Sequence, residues 1–230
     1  MKTSRILECS NLRKSYKSGE DHSEEILHGI SMTISRDDCA ILLGPSGSGK
    51  TTLLSILGCL LRPTSGELSV DGEVVDFSSV DGLTERRRAK IGFVFQHANL
   101  LPFLSVQENL VTVGRNAGVP QSHLRQKIDD LLNTLGLQGA AMKFPSQLSG
   151  GQRQRVALGR ALVHSPSVIL ADEPTASLDW ETGTIVTEML INRARELRAA
   201  LIVVTHDTRL IPRFNRVLRM ESGNVIEISH

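Results

Sequence analysis

Aromatic side chains are scarce in this chain. Six phenylalanines, one tyrosine and one tryptophan make up 3% of its 230 residues. So few rings argue against a surface that binds nucleic acid by base stacking. The formal net charge is +1, so the broad basic field that attracts a polyanion is missing too, and no nucleic-acid partner is expected. Cysteine is equally sparse: Cys9, Cys39 and Cys59 are odd in number and scattered, with no metal-ligand spacing. Cys39 and Cys59 lie inside apolar segments, the pattern of packed thiols in a reducing compartment rather than of disulfides. No apolar run approaches the roughly 20 residues of a membrane-spanning helix. The longest, LLSILGCLL (Leu53–Leu61) and LIVV (Leu201–Val204), suit a buried helix and a buried strand. The start, MKTSRILECSN, lacks the apolar core of a secretory signal. A soluble cytosolic chain that can dock on a membrane protein is the expectation.

Apolar residues at 40% and charged residues at 22% belong to an ordinary globular protein with enough length for a real core. There is no internal repeat and no low-complexity segment. The first forty residues alternate apolar and polar around the polar turn KSGEDHSE, which predicts antiparallel strands. CAILL (Cys39–Leu43) is a continuous apolar run ending in Gly-Pro, as a buried parallel strand does. The helix after Lys50 is expected to align Leu53, Leu54, Leu57 and Leu61, and PTSGELSVDGEVV predicts two strands about an Asp-Gly turn. KIGFVFQ (Lys90–Gln96), SVILAD (Ser167–Asp172) and ALIVVTHD read as further strands, with a long helix over TGTIVTEMLINRARELR between the last two. VLRMESGNVIEI reads as a terminal hairpin. Strands alternating with helices indicate α/β with a parallel sheet. Helical spacing from Ser105 to about Gly136, and a further helix from LSGGQ to Val163, interrupt that alternation and predict a separate lobe between Gln96 and Val163.

Gly44-Pro45-Ser46-Gly47-Ser48-Gly49-Lys50-Thr51, followed by Thr52, matches G-x-x-x-x-G-K-[ST] between a buried strand and a helix. In such a loop the glycines let backbone N–H groups turn toward phosphate oxygens, and the helix N-terminus adds partial positive charge. Lys50 is expected to reach the β and γ phosphates of ATP, and the Thr51 hydroxyl to hold Mg²⁺. Asp172 ends the apolar run VILA, at the strand edge where ligands bind in open α/β sheets, and is a candidate Mg²⁺ ligand. Glu173 follows and can accept a proton from an attacking water. Taken alone, the two acids read equally well as solvated groups at a strand end. Gln96 and His206 close FVFQ and VVTH at the same shared edge. Either can be an ordinary loop residue; beside a phosphate loop they become candidates for sensing water or Mg²⁺ (Gln96) and for contacting the γ-phosphate (His206).

A second segment has the same equipment. In LSGGQRQRVALGRAL, Ser149 is a natural N-cap, and Gly150 and Gly151 permit close backbone approach ahead of Gln152. It carries neither a phosphate-loop lysine nor a metal carboxylate, so it is half a site. Two chains head to tail about a two-fold axis would lay each Ser149–Gln152 segment on the other's ATP. A capped surface helix is the plainer alternative.

Together these motifs resemble the ATP-binding subunit of ABC transporters over essentially the whole chain. GPSGSGKTT, FVFQ, LSGGQRQRVALGRAL, ILADEPTASLD and VTHD stand in that family's order. The resemblance implies a P-loop NTPase of the ABC ATPase type: an α/β fold with a mixed, mainly parallel core sheet, an N-terminal antiparallel β subdomain and an inserted α-helical subdomain. A single domain, 1–230, would divide into a nucleotide-binding core, about 1–96 and 164–230, and a helical part, about 97–163. It further implies that Tyr16 stacks on adenine, that Gln96 links nucleotide to an integral membrane permease, that His206 is the switch histidine, and that Asp179 contacts a second copy of the chain. The implied activity is ATP hydrolysis at the cytoplasmic face of the inner membrane. LADEPT and NLLPFLSVQENL resemble the subgroup of lipoprotein release, macrolide-type efflux, heme and glycolipid export, and cell-division signalling. In that last branch the ATPase transmits force without moving a substrate. Neither Trp180 nor the cluster Arg86–Arg88 is given a role by these motifs.

Overall fold

The computed structural model describes residues 5–17 and 23–228; part of the KSGEDHSE turn lies outside them. Two sheets form the framework. The first is antiparallel, in the order β2-β1-β4-β5, from β1 (Arg5–Lys17), β2 (Ser23–Ser35), β4 (Ser65–Val70) and β5 (Glu73–Val74). The second has six strands in the order β10-β9-β3-β8-β7-β6. It contains β3 (Cys39–Leu43), β6 (Ile91–Val94), β7 (Val168–Asp172), β8 (Ala200–Val204), β9 (Arg216–Glu221) and β10 (Asn224–Ile228). All its pairings are parallel except the terminal β9–β10 hairpin.

The central strands are apolar without interruption because both faces of the six-stranded sheet are covered. Side chains along β3 alternate between two cores, as a period of two requires. Cys39, Ile41 and Leu43 join one apolar cluster, Ala40 and Leu42 the other. The first cluster receives α3 (Val106–Asn116), α4 (Gln121–Thr134), α5 (Gly150–Leu162) and α6 (Trp180–Leu197); the second receives α1 (Lys50–Leu57) and the antiparallel sheet. Cys9, Cys39 and Cys59 are buried free thiols, and burial pushes Cys9 and Cys59 up to about 11. No helix among the described residues is long and apolar enough to cross a membrane.

Three boundaries differ from the sequence expectation. Helix α1 stops at Leu57, since Gly58 caps it and Cys59 turns left-handed at φ +55°. Ile56 therefore replaces Leu61 on its buried face. Strand β6 begins at Ile91 because Lys90 is the last residue of α2 (Val80–Lys90), and it ends at Val94, two residues short of Gln96. No residue of helix α2 is fully buried, although Leu83 packs against the second cluster; two of its arginines brace neighbouring segments. Arg86 Nη1 donates to the Val70 carbonyl at 3.2 Å and Arg87 Nη1 to the Cys59 carbonyl at 2.7 Å. Part of the Arg86–Arg88 cluster is thereby engaged within the chain.

Candidate functional site

The carboxyl ends of β3, β7 and β8 open onto a cleft of about 540 Å³ lined by Tyr16, Ser46, Lys50, Thr51, Gln96, Asp172, Glu173 and His206, among others. That volume falls in the range of sites that enclose a small ligand.

The loop after β3 takes its shape from glycine. Gly44 has φ +153° and Gly49, the N-cap of α1, has φ +101°. A Cβ on Gly44 would lie 2.4 Å from the Met220 carbonyl oxygen, and one on Gly49 would lie 2.8 Å from Met220 Cε. The backbone of β9 therefore leaves no room for a side chain at Gly44, whereas at Gly49 the contact is a flexible methionine tip and the left-handed φ is what favours glycine. Lys50 Nζ donates to the Gly44 and Pro45 carbonyls at 2.8 Å each, so the ammonium folds across the loop it serves. The buried Ser48 hydroxyl has no hydrogen-bond partner among the described residues. An orphaned donor under a glycine-lined loop fits a phosphate group. Thr51, Asp172 and Gln96 offer hard oxygen ligands at the same cleft, the donor type that suits Mg²⁺.

Burial raises Asp172 above the ordinary carboxylate range; Glu173 pushes the same way, while the Thr51 hydroxyl and Lys50 oppose them. The ionised form is thus held at a cost that a bound cation would relieve. Asp172→Asn is expected to leave the metal-free chain at least as stable at neutral pH, since it removes a desolvated charge, and, if the carboxylate is the Mg²⁺ ligand the sequence suggests, to raise the Mg²⁺ concentration needed for half-maximal turnover of ATP. Thermal melts in chelator and a Mg²⁺ titration of turnover check both halves.

Glu173 adopts φ +46°, a left-handed backbone that costs a non-glycine residue of order 1–3 kcal/mol. Its N–H donates to the Val204 carbonyl at 2.9 Å, and this bond to β8 fixes the bend. The bend directs the carboxylate to His206, whose Nδ1 is 3.0 and 3.1 Å from the two oxygens. The histidine side chain is 74% exposed and that of Glu173 18%. A shielded carboxylate with an exposed imidazole in contact can accept a proton from water and present a second group to an anion.

Tyr16 lies at the rim with its ring exposed, and Lys14 Nζ stands 5.0 Å from the ring centroid. Ile26 also lines the cleft. No motif marks it; the pairing of β1 with β2 brings it there.

Ser149, Gly150, Gly151, Gln152 and Asp179 do not line this cleft. Ser149 caps α5: its Oγ accepts the Gln152 N–H at 3.2 Å while Gln152 Oε1 accepts the Ser149 N–H at 2.9 Å. Gly151 has a packing reason of its own, because a Cβ there would lie 2.7 Å from Thr182 Cγ2 on α6; Gly150 has ordinary room. Packing therefore explains one of the paired glycines and leaves the other. Asp179 caps α6, its carboxylate accepting the Thr182 N–H at 2.9 Å, and that backbone bond holds the carboxyl below its usual range.

The family model described as ABC transporter matches residues 27–176. A putative hemin import ATP-binding protein, HrtA, of Staphylococcus saprophyticus is 40% identical over 94% of this chain and 97% of its own length. The lipoprotein-releasing system ATP-binding protein LolD 1 of Rhodopseudomonas palustris is 39% identical over 96% and 98%. The macrolide export ATP-binding/permease protein MacB of Shigella flexneri is 39% identical over 96% of this chain, which spans 34% of that longer protein. Among solved structures, the ATP-binding cassette MJ0796, dimeric in a post-hydrolysis state bound to ADP and Pi, superposes with a TM-score of 0.88 at 36% identity, covering 97% of this chain and 98% of that one.

Proposed function

The chain belongs to the ABC transporter family, as its ATP-hydrolysing subunit, and from that premise we propose how its residues divide the work. Two copies pair head to tail around two ATP molecules and drive an integral membrane permease from the cytoplasmic face of the inner membrane. The observation that carries this reading is the incompleteness of the cleft. One segment, Ser149–Gln152, is built like a phosphate-binding helix start yet stands outside the cleft of its own chain. An isologous pair supplies each cleft with the other's segment. That MJ0796 is dimeric with ADP and Pi supports pairing of two copies.

In this scheme the Gly44–Thr52 loop grips the phosphates through its backbone N–H groups. Lys50 leaves the Gly44 and Pro45 carbonyls for the β and γ phosphates, and Tyr16 stacks on adenine. Mg²⁺, held by Thr51 and Asp172 with Gln96 nearby, supplies charge neutralisation for the phosphoryl oxygens. Glu173 takes the proton from the attacking water, while His206 and the partner's Ser149 and Gly151 donate to the γ-phosphate. Phosphoryl transfer asks for positioning and charge stabilisation rather than covalent chemistry, and this set provides both. The segment 97–163, carrying α3 to α5, acts as the helical subdomain that passes the cycle to the permease through Gln96, and Asp179 meets the second copy.

Outward movement is the favoured direction, supported by the export and release named for MacB and LolD, although HrtA is named for import. A force transmitter that moves no substrate is the weaker reading, since each of these relatives is named for a cargo. Dilution tests the central claim. Turnover per chain should fall as protein concentration drops below the pairing constant, with an apparent order in protein near two. A rate per chain that stays constant down to concentrations where light scattering finds only monomer would overturn it.

A further inference from the structure

Trp180, the sole tryptophan, has no part in the scheme above, yet it joins two of its loops. It is the first residue of α6, directly after Asp179. The residue is 42% exposed, and the Arg209 guanidinium lies over its ring at 3.9 Å from the centroid. Arg209 in turn grips Asp207 at two points, Nε to Oδ1 at 2.8 Å and Nη2 to Oδ2 at 2.7 Å. This fork is the strong form of a charge-assisted pair, and it holds the Asp207 carboxyl below its usual range. The Asp207 backbone N–H donates to Thr205 Oγ1 at 3.1 Å. The residues on both sides of His206 are therefore locked into the turn that carries it. Farther along the same turn, Arg213 Nε bonds Glu188 Oε1 on α6 at 3.2 Å, and the Arg213 guanidinium lies 6.0 Å from the Trp180 ring.

The His206 imidazole is itself exposed, and among the described residues it hydrogen-bonds only Glu173. Its aim thus depends on the turn beneath it, and the turn is fastened to the start of α6 through the Trp180 ring. We propose that Trp180 is a positioning residue for His206: the ring clamps Arg209, Arg209 clamps Asp207, and that chain sets the angle at which the imidazole meets Glu173. The same chain links the Asp179 end of α6 to the His206 turn, so a shift at one is felt at the other. This inference rests on the reading of Glu173 and His206 as the hydrolytic pair.

A cation over an exposed ring contributes modestly, which corresponds to a loss of about two- to fivefold in rate. Trp180→Ala should lower kcat by that factor with the KM for ATP unchanged. Trp180→Phe, which keeps an aromatic face, should restore most of it. Arg209→Gln should reproduce the loss with the tryptophan intact, a second route if the first variant folds poorly. In a His206→Ala background, adding Trp180→Ala should change nothing further. A Trp180→Ala variant with wild-type kcat would overturn the inference, as would a rise in KM that accounts for the whole loss. So would a full multiplicative loss in the His206→Ala background. The two layers separate cleanly: normal turnover in the His206→Ala single variant sinks the hydrolytic pair, whereas a slow His206→Ala beside an unimpaired Trp180→Ala sinks the positioning role alone.

Discussion

Replacing Glu173 by Gln is expected to cut ATP turnover by about 10²–10⁴-fold, the usual loss on removing a general base, or roughly 3–5 kcal/mol of barrier. The substitution is nearly isosteric. The amide oxygen can still accept from His206, and the bond from the residue-173 N–H to the Val204 carbonyl involves no side chain. Lys50, Ser48 and the glycine loop are untouched, so ATP binding should persist. What disappears is the capacity to take a proton. Nucleotide then enters and stays, and the pair it holds together should accumulate: gel filtration with ATP and Mg²⁺ should move the variant to twice the mass, and the wild type only transiently. Normal turnover by Glu173→Gln would remove the base assignment. A slow variant that stays monomeric with ATP bound would keep the base and remove the sandwich.

Ser149→Arg is expected to take hydrolysis below detection while nucleotide binding by the isolated chain stays at its original affinity. Ser149 does not line the cleft of its own chain, so a bulky cation there has no direct route to the nucleotide bound within that chain. It does have one to a nucleotide presented by a partner. The variant also loses a helix cap, a change of about 0.5–2 kcal/mol, so a control must separate helix damage from phosphate contact. Ser149→Asp serves: aspartate caps a helix as well as serine does, but it sets a carboxylate against the partner's γ-phosphate. Both variants should bind and neither should turn over. Full activity in Ser149→Asp would reduce the segment to a helix start. Loss of binding by monomeric Ser149→Arg would return the segment to its own chain's site.

Most of the site was legible because its residues sit at the ends of apolar runs. Asp172 after VILA and Lys50 after CAILLGPSGSG occupy a fixed place relative to a buried strand, and a parallel sheet lines such ends along one edge. Gln96 needed more, since β6 stops at Val94 and the glutamine reaches the cleft from a loop. Ile26 left no signal at all, because strand pairing brings it to the rim. Trp180 stayed silent for the same kind of reason: its partners are 29 and 33 positions away, and only the packing of a short turn on α6 brings them under the ring.

Local chemistry written along the chain was enough for the strand-to-helix phosphate loop, the capped start of α5 and the alternation that puts ligands at one sheet edge. These depend on neighbours within a few positions, through backbone sterics and hydrogen bonding. Folding in space had to decide the left-handed bend at Glu173 that turns its carboxylate to His206, and the pressure of the Met220 backbone behind Gly44. It also decided the separation of Ser149 from the cleft it resembles. Each of these is a distance between segments remote in sequence, and such distances follow from how two apolar cores close on opposite faces of one sheet.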